Sequence, residues 1–82
     1  MTSSSAFVLI DCDFPFSENI LEELKKIPEI EEFYRVQSIY DINAKVNADS
    51  KDQLNEVVMR KVREIEGIKN TLTMIKLQHP KI

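Results

Sequence analysis

Apolar and polar positions along the chain predict strands in two places. Residues 6–12 are apolar on both alternating sets of positions, a pattern typical of a strand that is covered on both faces and is therefore central in its sheet. Residues 42–48 instead alternate strictly between apolar and polar side chains, so one face of this strand is expected to contact a core. The core-facing positions of that strand are Ile42, Ala44, Val46 and Ala48.

Two further segments carry apolar residues at helical spacing. The first has Ser17 at an N-cap position and ends before Pro28; the second begins at the capping-box pair Ser50 and Gln53 and ends at Gly67. The sequence therefore predicts two amphipathic helices, each with one face toward a core. Their apolar stripes are Ile20, Leu21, Leu24 and Ile27 in the first helix, and Leu54, Val57, Val58, Val62 and Ile65 in the second.

Aromatic and β-branched residues fill the two remaining segments. Residues 30–40 predict a long strand that a turn or bulge breaks near Asp41, and residues 68–78 predict a last strand before Pro80. The element order is then βαββαβ. Right-handed crossovers place this order in an α+β, ferredoxin-like fold, a four-stranded antiparallel sheet with both helices on one face.

The helix-free face of such a sheet needs a cover. It would carry Phe7 and Leu9 beside Leu72 and Met74, or the alternate positions of the same strands. A contiguous apolar face of this size marks an interface. We therefore expect two sheets to pack face to face in a two-fold dimer of the dimeric α+β barrel type.

The length and composition of the chain also favour oligomerisation. The chain has 82 residues and one cysteine, so we expect a single small domain without an intrachain disulfide, which oligomerisation would stabilise. This domain is expected to span residues 6–82 after a disordered stretch, residues 1–5.

The net charge of −3 disfavours nucleic acid as a direct partner. The absence of a long apolar run or signal peptide predicts a cytoplasmic protein without membrane contact.

Two short motifs extend the prediction to function. The first is Ser38, Ile39, Tyr40 and Asp41, and the second is Gly67, Ile68, Thr71 and Thr73. In this order within one βαββαβ unit, they resemble the Gly-x-aromatic-Asp turn and the glycine before Thr-x-Thr in the effector-binding (RAM) domain of Lrp/AsnC transcriptional regulators. The resemblance covers residues 6–80. Two family glycines are replaced, one by Ser38 and the other, after Pro15, by Phe16.

The resemblance implies a regulatory module that binds an amino acid or similar small molecule where dimers meet in a larger ring, such as an octamer or decamer. It implies no cofactor, metal ion or catalytic residue. Since only five residues precede Ala6, we expect a stand-alone domain without the family's helix-turn-helix. Such a domain would not bind DNA by itself and could co-assemble with full-length Lrp/AsnC regulators. By analogy its ligand-binding residues are Ser38, Tyr40, Asp41, Lys69, Asn70 and Thr71.

The residues themselves leave other functions open. Asp41 is either an ammonium partner for an amino acid or a cap of its own turn. Small dimeric ferredoxin-like proteins also include cofactor-free monooxygenases and isomerases. Against an enzyme, the chain has no tryptophan and a single histidine, His79, for acid–base work. A third alternative is a purely structural assembly module without a working pocket.

The remaining chemically active side chains are expected to be solvated or to have structural roles. Asp11 and Asp13 form a D-x-D pair, but two carboxylates without further ligands are expected to be solvated rather than to hold a cation. Cys12 shares a strand face with apolar residues, so we expect a small buried hydrophobe rather than a nucleophile. A helix face that is solvated or forms salt bridges between subunits, rather than a nucleic-acid contact, is expected for Arg60, Lys61 and Arg63.

Overall fold

The chain folds as a four-stranded antiparallel sheet with both helices on one face. The structure, a computed structural model, describes residues 4–13 and 18–75. The sheet order is β2-β3-β1-β4, so the predicted ferredoxin-like arrangement and the central position of the first strand are confirmed. The elements are β1 Ser4–Cys12, α1 Glu18–Lys25, β2 Ile30–Arg35, β3 Ile42–Ala48, α2 Lys51–Val57 and β4 Ile68–Ile75.

The core lies between the sheet and the two helices. Alternate residues of β1 and β3 point toward the helices and are buried, as the sequence pattern predicted for β3. The predicted apolar stripe of the second helix is buried over its whole length. The largest fully buried side chains are Ile10, Ile20, Leu24, Ile42, Leu54, Val8, Val46 and Val62.

The second helix starts as predicted and then changes its hydrogen-bonding pattern. The backbone N–H of Gln53 donates to Ser50 Oγ at 3.1 Å, while Gln53 Oε1 accepts from the backbone N–H of Asp49 at 2.6 Å. These two bonds make the capping box. After α2, the chain continues as a π-helix over Val58–Val62, in which the Arg63 N–H donates five residues back to Val58 at 2.9 Å. The sequence pattern did not predict this change.

The strand β2 is shorter than the sequence pattern predicted. It ends at Arg35, and residues 36–41 form a loop instead of strand. Arg35 already pairs with Ile42, the first residue of β3, so the edge strand β2 has no partner beyond that point. The N–H of Val36 donates to the carbonyl of Asp41 at 2.8 Å and closes the loop.

Strand β1 is longer than predicted at its start. Ser4 and Ser5, assigned to a disordered stretch from the sequence, belong to β1 because they pair with Ala48 and Asn47 at the end of β3. The predictions that rest on Ser17, Pro15, Phe16, His79 and Pro80 lie outside the described residues.

The helix-free face of the sheet is apolar over β1 and β4. Phe7 is paired with Met74, and Leu9 with Leu72. In the single chain, Phe7, Leu72 and Met74 are 44%, 45% and 47% exposed. The prediction that these residues share an uncovered apolar face is therefore confirmed, and we call these four residues the outer apolar face.

The neighbouring strand β3 presents polar residues on the same side of the sheet. Lys45 forms an ion pair with Glu31 at 3.5 Å, and the side-chain amide of Asn47 donates to the same carboxylate. Neither helix in the described part of the chain has the length and apolar character needed to cross a bilayer.

Candidate ligand-binding site

The predicted site residues lie at one end of the sheet, on either side of the end of β1. The loop of residues 36–41 adjoins β1 from the β3 side, and the start of β4 adjoins it from the other side. Ile10 illustrates the arrangement, because it pairs with Ile42 in β3 and with Thr71 in β4. The fold thus brings both predicted segments to one place, although they are about 30 positions apart in the sequence.

Asp41 ties the loop to β1 through its backbone and its side chain. Its N–H donates to the carbonyl of Ile10 at 2.9 Å, and its Oδ2 accepts from the N–H of Cys12 at 2.8 Å. The carboxylate therefore accepts a hydrogen bond from the backbone of β1, at a residue 29 positions away in the sequence. This bond positions the loop and leaves further lone pairs on the carboxylate, which has about four acceptor sites.

Ser38 and Tyr40 form the outer part of the same loop. The Tyr40 N–H donates to Ser38 Oγ at 3.0 Å, and this hydroxyl lies 3.3 Å from the Tyr40 carbonyl, to which it donates. Ser38 is exposed and Tyr40 is partly buried. The position that carries a glycine in the family motif does not need a left-handed backbone, because among the described residues only Gly67 has a positive φ.

The second half of the site is the start of β4. Asn70 pairs with Asp11 and Thr71 with Ile10, while a register shift between Asp11 and Cys12 places Lys69 at a β-bulge. Lys69 and Asn70 are exposed, and Thr71 is partly buried.

The two halves remain apart within one chain. Since β1 lies between them, Asp41 and Thr71 are two strand spacings from each other, about 10 Å by sheet geometry. The loop and the start of β4 therefore form two separate polar segments, which we call the loop half-site and the β4 half-site of the candidate site.

Cys12 lies between these two halves, and its thiol is protonated at neutral pH. Its side chain is buried, as predicted. Burial, together with the nearby carboxylates of Asp41, Asp11 and Asp13, raises the pKa of the Cys12 thiol to about 11. Within residues 4–13 and 18–75, no three or more His, Cys, Asp or Glu side chains gather in a way that could hold a metal ion.

The raised pKa predicts low thiol reactivity and an alkaline loss of stability. Because the folded-state value of about 11 exceeds the ordinary value of 9.0, the fold favours the neutral thiol. This contribution is fully present below about pH 9 and is lost as the pH rises through 11. We expect Ellman's reagent to modify Cys12 much more slowly at pH 8 in folded protein than in urea-unfolded protein. Equal modification rates would contradict a buried, neutral thiol. In a separate test, we expect Cys12→Ala to lose less folding stability than wild type between pH 9 and 11.

A separate cleft lies on the helical side of the molecule. It encloses about 420 Å³ between α2 and the start of β2. Lys61 donates to both carboxylate oxygens of Glu29 at 2.9 and 3.0 Å and lowers the pKa of that carboxyl group. This exposed ion pair lies within one chain, whereas the sequence analysis expected a face that was solvated or salt-bridged between subunits. Sequence reasoning missed Glu29 because its partner is 32 positions away. The lining residues are Glu29, Asp52, Gln53, Glu56, Val57, Arg60 and Lys61.

The chain is a small α+β domain whose sheet carries the two candidate half-sites at one end. The sequence model described as the Lrp/AsnC ligand binding domain matches residues 5–82, so the chain belongs to this family. Its members are ligand-binding domains of transcriptional regulators, they oligomerise, and they are not enzymes. Membership removes the enzymatic alternative.

Relatives and solved structures agree with this assignment. An uncharacterised HTH-type transcriptional regulator of Pyrococcus furiosus is 37% identical over 76 residues, which cover 88% of this chain and 50% of the regulator. The chain spans about half the length of the curated relatives it matches. The crystal structure of FFRP-DM1 superposes with a TM-score of 0.84 at 31% identity, over 90% of this chain and 99% of that chain. Escherichia coli AsnC gives a TM-score of 0.81 at 31% identity, over 96% of this chain and 54% of that chain.

Proposed function

We propose that this domain is a cytoplasmic amino-acid sensor that works as an oligomer and modulates full-length Lrp/AsnC regulators by co-assembly. The observation that carries the proposal is that two polar half-sites lie on either side of the end of β1 in a member of a ligand-binding family. Ser38, Lys69 and Asn70 are exposed in the single chain, and a neighbouring copy that faces this end of the sheet would complete the pocket.

The chemistry of the half-sites suits an amino acid. Asp41 offers a carboxylate for the ligand's ammonium group, and its bond to the Cys12 backbone fixes where that carboxylate lies. Lys69, Asn70 and Thr71 provide donors for the ligand's carboxylate. Together with Ser38 and Tyr40 on the loop, these residues form the proposed binding site.

The outer apolar face supports a two-fold dimer as the unit of assembly. Phe7, Leu72 and Met74 are each nearly half exposed in the single chain, and Leu9 lies between them. Packing this face against its copy would bury all four residues, and dimers would then assemble into rings such as octamers or decamers. The same face would let the domain pair with the equivalent domain of a full-length regulator.

Native mass spectrometry tests ligand and assembly together. We expect a dimer-based assembly that gains one discrete added mass per subunit when a mixture of the twenty amino acids is present. An assembly that stays empty with every amino acid would contradict the amino-acid sensor and would leave a structural assembly module or a ligand other than an amino acid as the alternatives.

The Asp41→Asn substitution tests the proposed ammonium contact. Asparagine keeps an oxygen that can accept from the Cys12 N–H but removes the negative charge. We therefore expect the folded oligomer to persist while the amino-acid-induced rise in melting temperature is lost. Asp41→Ala is the comparison variant, because it also removes the acceptor and should cost an additional ~1–3 kcal/mol of folding stability. A full thermal shift in the Asn variant would remove Asp41 from the site.

A further inference from the structure

The Ser38 hydroxyl forms hydrogen bonds with both backbone polar groups of Tyr40, the N–H and the carbonyl. Its hydroxyl oxygen accepts from the Tyr40 N–H at 3.0 Å and its hydroxyl hydrogen points toward the Tyr40 carbonyl oxygen, 3.3 Å away. Both residues lie in the loop that forms one half of the proposed site. A side chain of this chain therefore sits on backbone groups that a ligand could otherwise contact.

The other backbone donors that close this loop are held by the fold itself. Val36 N–H donates to the Asp41 carbonyl, and Asp41 N–H donates to the carbonyl of Ile10 in β1. These are backbone bonds, so they are independent of side-chain identity at position 38. The Tyr40 N–H is different, because its partner is the side chain of Ser38.

We propose that Ser38 determines specificity at the loop half-site by masking the Tyr40 N–H from the ligand's α-carboxylate. The inference rests on the amino-acid site proposed above. A carboxylate that approaches the loop must displace the hydroxyl, and the exchange of one hydrogen bond for another gives little net gain. With the donor masked, the loop recognises the ammonium group through Asp41, and only the proposed donors at the start of β4 distinguish a free amino acid from its α-amide.

The backbone at position 38 allows clean substitutions. Ser38 does not have a positive φ, so neither alanine nor threonine introduces backbone strain there. Ser38→Ala removes the hydroxyl and keeps Cβ, whereas Ser38→Gly removes both. Ser38→Thr restores the hydroxyl and serves as the conservative rescue. Comparison of the three variants separates masking by the hydroxyl from obstruction by Cβ.

The first measurement is hydrogen exchange of the Tyr40 amide by NMR in the ligand-free protein. We expect faster exchange in Ser38→Ala and Ser38→Gly and wild-type protection in Ser38→Thr, because only the hydroxyl-bearing residues cover this N–H. Unchanged protection in Ser38→Ala would overturn the inference, whatever the ligand results.

The second measurement is calorimetric affinity for leucine, methionine and phenylalanine and for the α-amide of each. Freed of the hydroxyl, Ser38→Ala and Ser38→Gly should raise the ratio of acid to amide affinity roughly three- to tenfold, and Ser38→Thr should keep the wild-type ratio. A rise in Ser38→Gly alone would assign the effect to Cβ and overturn the inference. An unchanged ratio in proteins that still bind would overturn it and leave the sensor function standing. Failure of every variant to bind any of the twenty amino acids would overturn both.

Discussion

Replacing Leu72 by aspartate is expected to dissociate the proposed face-to-face dimer. Leu72 is 45% exposed in the single chain and pairs with Leu9 at the centre of the outer apolar face. In a face-to-face dimer its side chain would be desolvated, and an unpaired charge buried there costs about 3–5 kcal/mol. The dimer dissociation constant should therefore rise at least about 100-fold, since each 1.4 kcal/mol changes it tenfold.

Size-exclusion chromatography with light scattering measures this effect. The matched control is Met59→Asp, because Met59 is an apolar residue of similar exposure, 55%, but lies on the helical side of the molecule. The control should remain an oligomer with wild-type circular dichroism, while Leu72→Asp elutes as monomer or aggregates. An unchanged oligomer in Leu72→Asp would exclude the outer apolar face as the interface.

Gly67→Ala is expected to lower the free energy of unfolding by about 2–4 kcal/mol. Gly67 has a φ of 101°, a conformation that costs a residue with a side chain about 1–3 kcal/mol. An added Cβ would also lie 3.0 Å from Cδ1 and 3.4 Å from Cγ1 of Ile20, a residue that is only 1% exposed and has little room to move. At fixed protein concentration, the melting temperature should fall by roughly 10–20 °C.

A double variant separates the two causes. Ile20→Val removes Cδ1, the atom nearest to the added Cβ, but leaves the backbone conformation at Gly67 unchanged. If the contact matters, Gly67→Ala should cost less stability in the Ile20→Val background than in wild type. An equal cost in both backgrounds would assign the loss to backbone strain alone. A loss below about 1 kcal/mol in wild type would contradict both causes.

Local patterns in the sequence predicted the helical layer well. The capping box at Ser50 and the buried stripe from Leu54 to Ile65 depend on residues three to eleven positions apart, so their signals are complete within one segment. Gly67 has the expected positive φ, but the prediction that it ends the helix was wrong, because the helical segment already ends at Val62 and residues 63–66 form turns before Gly67. The π-helix was not predicted, because the apolar spacing of an amphipathic helix does not reveal one turn with a different hydrogen-bond pattern.

The features that sequence reasoning missed depend on partners far along the chain. The composition of residues 36–40 favours a strand, yet β2 stops at Arg35 because β3 offers no further partner. Asp41 was recognisable as a polar residue at a turn, but its contact with Cys12 requires the β1–β3 register. For the same reason, the meeting of the loop with residues 69–71 came from the family resemblance and not from the residue pattern.

The central strand β1 connects the proposed ligand-binding site with the outer apolar face. Its end holds Asp41 through the Ile10 carbonyl and the Cys12 N–H, and its middle carries Phe7 and Leu9 of the outer apolar face. The proposed ligand contact and the proposed dimer contact therefore share one strand, so the two could be coupled through β1. Thermodynamic reciprocity then requires that the assembly state which binds the amino acid more tightly is also the state that the amino acid stabilises. In such a protein, subunit concentration becomes a second input to the sensor.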